Sequence, residues 1–364
     1  MRIVVIGAGI LGLSIAYNLA KRGADVNVIE RQYPGSGLSV RAIGSIHSQW
    51  KNEYDIKLAK KNRDLMNRLS SDLNFNIPFR RDGHLMVATS KEQLAELESN
   101  AKLQRSLGVD TNVLTPEEIE NRYPFLNASS IVGGTFSKGD GSVHPFSVVY
   151  GFWNGLEEHG GQVTRPTTVT ALHAKEHRIC SAETNNGAFE ADAFVVAAGT
   201  GSREILRSVG LDVPTELVKR EMLATEPLRF FLRPMIQVYP EGISFTQTLR
   251  GEIVCELPTT GEEVRKDTSS TLEFLEKAAT ELIRFMPALS DVKILRPWAG
   301  LVETTRDSEP AVGRYVYDNL WVAFADSGKS VMFAPVIGDL MAEQIMSGQT
   351  NPDLGPYSPA RFLP

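Results

Sequence analysis

Residues Ile3 to Ile6 form a short β-branched run without a charge. Such continuous apolarity fits a strand buried on both faces of a parallel sheet. From Gly9 to about Arg22 the period turns helical, with Leu13, Ala16 and Ala20 on one face and Gly23 as a stop. Asp25 to Ile29 reads as a second strand, so the first thirty residues predict a complete strand–helix–strand unit. Residues 53–71 predict an amphipathic helix, Gly83 to Ala88 a strand, and Lys91 to Leu107 another helix. Thr115 caps a helix start, with Pro116 in the first position and Glu117 and Glu118 in the first turn. A helix follows at 146–158, then antiparallel strands over 162–190 around Asn185-Asn186-Gly187. Ala193 to Ala198 returns to the buried-strand pattern. Strands dominate from 217 to 258, a charged helix lies near 268–286, and Trp321 to Phe324 is a buried strand. Pro335 to Met346 reads as the closing helix.

Sheet-and-helix pieces of the opening type recur near 160–200 and at the end of the chain. They predict one α/β domain built from residues 1–80, 140–215 and 295–364. Residues 81–139 and 216–294 would form an interleaved α+β domain with a mixed sheet. A chain of 364 residues suits about two domains. Its 42% hydrophobic and 23% charged content excludes a disordered tail protein. Lys and Arg number 38 against 44 Asp and Glu, and the basic residues are dispersed, which argues against a nucleic-acid partner. Cys180 and Cys255 are too few for a disulfide framework or a cysteine-rich zinc site, so a reducing cytosol is the expected compartment. No apolar run approaches the roughly 18–20 residues that span a bilayer, and no spacing of His, Cys and Asp suggests a metal.

The opening turn carries Gly7-x-Gly9-x-x-Gly12 between strand and helix, and Glu30 stands 18 residues later at the end of the second strand. The first glycine permits the tight turn, the second lets backbone approach a pyrophosphate, and the third lets helix pack on strand. The helix N-terminus then faces the phosphates, and the acid can accept from a ribose 2′-OH. This is a Rossmann-like dinucleotide site, and the acid selects FAD or NAD over NADP. The loop from Pro34 to His47 is rich in Gly and Ser. Ser36, Ser39 and Arg41 can reach phosphate there, and Gly37 and Gly44 allow close approach. An extended flavin dinucleotide needs such a loop; a nicotinamide does not.

These residues resemble the FAD-dependent D-amino-acid-oxidase superfamily, in particular sarcosine oxidase β subunits, glycine oxidase and L-proline dehydrogenase β subunits. Phe194 to Gly199 is similar to the family's strand-plus-glycine flavin segment. Trp298-Ala-Gly300 and Thr305-x-Asp307-x-x-Pro310-x-x-Gly313 are similar to its stretch beside the isoalloxazine. Ser327 to Pro335 stands where relatives carry Ser-Gly-His-Gly. The resemblance implies cofactor contacts at Gly7, Gly9, Ile10, Leu11, Gly12, Glu30 and Arg31. It extends them to Gly37, Leu38, Ser39, Arg41, Ala42 and Ser45 of the loop, and to Val169, Ala198, Gly199 and Gly300. At the last turn it adds Gly328, Lys329, Ser330, Val331 and Met332. Neither cysteine lies where relatives attach flavin, so the FAD is expected to be non-covalent.

The departures fall on the substrate side. His47 replaces an Arg of relatives, Val302 stands where glycine oxidase has an Arg, Ser244 where a Tyr is usual, and Lys329 where a His is. The resemblance makes His47 and Lys329 the expected catalytic pair, both positive. Lys329 would stabilise charge at the flavin N1–C2=O edge, and His47 would pair with a substrate carboxylate. Ser244 and Thr246 complete the expected substrate contacts. The implied reaction oxidises a C–N bond by hydride transfer to flavin N5. Its favoured substrates are secondary amino acids such as proline, sarcosine, hydroxyproline or an opine. Relatives work as β subunits, so α- and γ-type electron-transfer partners are implied, with any membrane contact made through them. Two alternatives stand beside this reading. One is a FAD-dependent dehydrogenase of a hydroxy acid or polyol phosphate, with His47 as base. The other is a flavin-binding subunit without turnover of its own.

Overall fold

The structure is a computed structural model that describes residues 1–240, 242–258, 267–324 and 327–363. The opening run Arg2–Ile6 is the centre of a six-stranded sheet. Its order is Ala311–Arg314, Leu320–Phe324, Ala193–Val196, Arg2–Ile6, Asp25–Ile29 and Gln162–Thr164. All neighbours are parallel except the first pair. Ile3 and Val5 face one apolar core and Val4 and Ile6 another, which is why the strand carries no polar position. Gln162–Thr164 was expected among the antiparallel strands. It instead adds in parallel to Asp25–Ile29, and the antiparallel unit is Val169–Lys175, Arg178–Thr184 and Gly187–Glu190, turning at Asn185-Asn186. Two polar residues between the segments, Thr167 and Thr168, hid the break.

A second sheet has eight strands in the order Ile294–Thr305, Thr215–Thr225, Ile253–Pro258, Ser244–Gln247, Met235–Val238, His84–Ala88, Gly133–Ser137 and Thr111–Leu114. Only the pair Met235–Val238 and His84–Ala88 is parallel. Alternation divides this sheet into two faces. Leu85, Leu223, Ile236, Phe245, Cys255 and Leu257 pack in one core with Phe274, Ala278 and Leu282 of the helix Leu272–Phe285. The register puts Arg220, Met222, Ser244, Thr246, Glu256, Trp298 and Gly300 on the opposite face. The expected domain border at residue 295 falls inside a strand that bonds to Thr215–Thr225 along its whole length, so 294–305 belongs to this second sheet. Proximity to the cofactor motif suggested the other side; backbone pairing decides.

The closing helix spans Ser330–Ser347 and holds Pro335 in its interior, five residues past the start. The expected start at Pro335 is therefore too late. Proline usually breaks a helix by removing a donor and crowding a carbonyl. Here two neighbouring helices serve the disturbed backbone: Val336 N–H donates to Asn62 Oδ1 at 3.1 Å, and Ser14 Oγ donates to Ala334 C=O at 2.7 Å. Among the described residues, no helix is long and apolar enough to cross a membrane.

Asn62→Ala removes one of these partners and leaves a buried N–H dependent on a proline-disturbed turn. We expect a loss of about 1–3 kcal/mol, visible as a lower urea midpoint. An unchanged midpoint would show that the helix satisfies Val336 by itself.

Candidate active site

Gly7 and Gly12 are glycines for the protein's own packing. A Cβ on Gly7, at φ +105°, would lie 2.5 Å from Ala197 C=O, and one on Gly12 would lie 2.0 Å from Gly7 C=O. Gly9 differs. Its φ of −73° suits any residue, and a Cβ there would meet only Ser39 Oγ at 3.5 Å. Nothing in the chain itself demands glycine at this position, whereas a pyrophosphate lying on the backbone would. Ser39 Oγ accepts from Ile10 N–H at 3.0 Å, at the N-terminus of the helix Ile10–Lys21. Glu30 accepts from Ala8 N–H at 2.9 Å and Gln32 N–H at 2.8 Å, which fixes its carboxylate at the strand end.

A cavity of about 610 Å³ runs along these groups, within the size of cofactor clefts (~300–1,000 Å³). Gly7, Gly9, Ile10, Leu11, Glu30, Arg31, Gly37, Leu38, Ser39 and Arg41 line it, as do Val169, Ala198, Gly199, Gly300 and Ser330. Gly12, Ala42, Ser45, Gly328, Lys329, Val331 and Met332 do not. Gly12 serves helix packing, and Val331 and Met332 are buried in the core behind the cavity. Thr167, Thr168, Thr170 and Glu303 line it without having been read from the sequence.

At the far end the second sheet docks on the loop. A Cβ on Gly300 would come within 2.4 Å of Leu38 Cδ1. Trp298 Nε1 donates to Arg41 C=O at 3.1 Å, and Arg41 Nη1 donates to Ala299 C=O at 3.3 Å. Arg220, the cross-strand partner of Gly300, lays its guanidinium over Gly328, with Nε 3.6 Å from the Cβ position of that residue. Its Nη1 donates to Glu256 at 2.8 Å. Within the described residues, buried polar atoms around this seam without a hydrogen-bond partner include Ser45 Oγ, His47 Nδ1, His84 Nε2, Arg220 Nε and Thr246 Oγ1. Buried orphans are costly in a finished core and ordinary in a site that awaits a ligand.

His47 stacks between two rings, at 4.6 Å from His84 and 4.7 Å from Trp50. Burial, then His84, then Lys329 hold its imidazole well below the ordinary value, and burial pushes His84 down to about 3. His47 is therefore neutral, which corrects its expected role as a positive partner for a carboxylate. Lys329 is corrected too. Its Nζ donates to Glu309 at 2.5 Å and Asp55 at 2.9 Å and lies 4.8 Å above the Trp50 ring. Two carboxylates consume the charge that was expected at the flavin edge. Tyr357 OH donates to Asp55 at 2.7 Å, closing the cluster from the C-terminal segment. Burial pushes the Glu309 carboxyl up to about 7 against the pull of Lys329. Ser244 and Thr246 stand on the polar face of the sheet, Ser244 directly across from Glu256.

A family model described as DAO, FAD dependent oxidoreductase, matches residues 2–344. The sarcosine oxidase β subunit of Rhodobacter capsulatus is 24% identical over 352 residues, 95% of this chain and 85% of that one. Glycine oxidase of Bacillus licheniformis is 29% identical over 94% of this chain and 92% of its own length. The crystal structure of L-proline dehydrogenase from P. horikoshii is 31% identical, covers 99% and 97% of the two chains, and superposes with a TM-score of 0.92.

The two kinds of glycine predict different failures. Gly9→Ala should leave the apoprotein as stable as the native chain but strip it of FAD, seen as lost flavin absorbance at an unchanged apoprotein Tm. Gly7→Ala should lower the apoprotein Tm itself, through strain at positive φ. Full flavin in the Gly9 variant would place the pyrophosphate elsewhere. The buried cluster adds a pH dependence. A carboxyl raised from 4.5 to about 7 on folding contributes most stability below pH 4.5, and that contribution is lost as pH climbs towards 7. Glu309→Gln should flatten this decline in a series of thermal melts, and a decline as steep as the native one would assign it to other groups.

Proposed function

The chain belongs to the family of FAD dependent oxidoreductases, and from that premise we propose that it oxidises the C–N bond of an amino acid whose carboxylate is held by Arg220. The bound flavin supplies the hydride acceptor. The chain's own task is to present the substrate's α-carbon in one orientation and to keep its amine neutral. The observation that carries this reading is the Arg220 guanidinium, seated on Gly328 beside the cofactor cavity with a buried Nε that lacks a partner. Glycine oxidase, which this chain resembles, has an arginine at the position of Val302. Val302 pairs with Val218, so Arg220 lies on the same face one strand over and two residues along. The cation lost from one strand is regained from its neighbour, and an N–H pair of a guanidinium can hold a carboxylate bidentately.

His47 supports the amine side. Neutral and wedged between rings, it offers an imidazole with one orphan nitrogen, Nδ1, that can accept from a substrate N–H. Its weak basicity suits a hydrogen-bond acceptor better than a proton store. Oxidation of a hydroxy acid would need a stronger base to take the hydroxyl proton, and neither His47 nor His84 provides one. Secondary amino acids are the preferred class, and transfer of electrons to a partner subunit belongs to the same reading. The relatives named as β subunits support it.

Anaerobic mixing with a panel of amino acids, simple amines and hydroxy acids tests the proposal. Amino acids should bleach the flavin and hydroxy acids should not. Arg220→Met should raise KM for the active amino acid by roughly 10- to 150-fold, the equivalent of about 1.5–3 kcal/mol for a charged hydrogen bond. Amines without a carboxylate should be indifferent to the change. Bleaching by hydroxy acids alone, or an unmoved KM, would overturn the assignment.

A further inference from the structure

Arg220 is only half available. One of its terminal nitrogens is taken by Glu256, whose side chain is 13% exposed. Glu256 points onto the polar face because Cys255 and Leu257, on either side of it, turn into the apolar core. The register sets it between Met222 on one neighbouring strand and Ser244 on the other. A carboxylate is thus mostly withdrawn from water among a thioether, a hydroxyl and one half-buried guanidinium. Removing a charge from water is costly, and a neutral amide of the same shape could make the same single contact with Arg220. The charge itself therefore calls for a use.

It acts on whatever Arg220 binds. A substrate carboxylate can take the Nε edge of the guanidinium, which is buried and unpartnered. It then completes a line of anion, cation, anion. A second carboxylate on the substrate would meet Glu256, while the other cation that the register puts on this face among the described residues, Arg296, lies two strands away over the Trp298 ring. Lys329, the buried cation next to Gly328, is committed to Asp55 and Glu309. Like charges brought together in a partly desolvated site are strongly disfavoured, and a cationic arm is favoured by the same field.

We propose that Glu256 is a specificity residue that excludes dicarboxylic amino acids and favours substrates whose second arm is neutral or basic. This rests on Arg220 holding the substrate carboxylate. It narrows the substrate class by charge: N-alkyl and cyclic monocarboxylic amino acids, and those with a basic arm, are admitted. Compounds joining two carboxylates through one nitrogen are rejected.

Three N-substituted glycines of similar size test this: iminodiacetate with an anionic arm, N-(2-hydroxyethyl)glycine with a neutral one and N-(2-aminoethyl)glycine with a cationic one. Each is mixed anaerobically with the FAD-loaded protein, and its dissociation constant is read from the perturbation of the flavin spectrum before reduction. The anionic arm should bind at least about tenfold more weakly than the neutral one, and the cationic arm at least as tightly as the neutral. Glu256→Gln should shrink the gap to about twofold, and Glu256→Asp should keep most of it. Should the glutamine variant lose FAD, Ser244→Lys carries the same comparison, since a cation placed across from Glu256 should cancel the gap. Equal binding of the anionic and neutral arms by the native protein overturns the proposal. So does a gap that survives in the glutamine or lysine variant. If none of the three ligands perturbs the flavin, while a simple amine does, it is the carboxylate role of Arg220 that fails.

Discussion

Gly300 has no side chain, and the site depends on that. At this residue the strand Ile294–Thr305 approaches the Gly-rich loop so closely that a Cβ would fall 2.4 Å from Leu38. The approach is locked by reciprocal bonds, Trp298 to the Arg41 carbonyl and Arg41 to the Ala299 carbonyl. The Gly300 backbone lies against the Leu38 side chain, and this contact with the two bonds sets the polar face of the eight-stranded sheet at the end of the cofactor cavity. Arg220 reaches Gly328 because its strand pairs with this one, and His84 reaches His47 because the same sheet extends that far.

Charge is arranged around that seam in closed groups. Lys329 is balanced by Asp55 and Glu309, and Arg220 by Glu256. The two histidines are kept neutral by burial. Among the described residues, the unsatisfied atoms at the seam include hydroxyl and imidazole groups and the Nε of the Arg220 guanidinium.

The part of this arrangement that the sequence reveals is the part whose causes are local. Gly7, Gly9, Gly12 and Glu30 lie within thirty residues, so strand, turn, helix and acid can be recognised together. The strands of 217–258 were expected as a run, and their division into two faces came only with the register. Lys329 misled because its partners are 274 and 20 residues away, and only the packed structure reveals that its charge is consumed. His47 misled for the same reason: a loop position says nothing of the ring stack that buries it. Arg220 was overlooked because its place is set by register with Gly300, a relation between strands 80 residues apart. The one available signal was an arginine in a strand whose neighbour Met222 is apolar on the same face. Pro335 misplaced the closing helix because its tolerance depends on Asn62 and Ser14, residues of other helices.

The division of the eight-stranded sheet into two faces has a consequence for how such a protein can change over generations. Stability is vested in Leu223, Phe245, Cys255 and Leu257 against one helix. The residues proposed for recognition, Arg220, Ser244 and Glu256, lie on the opposite face of the same strands. Substitutions on the second set leave the first in place. A lineage can therefore vary these alternate positions while the apolar core behind them keeps its packing.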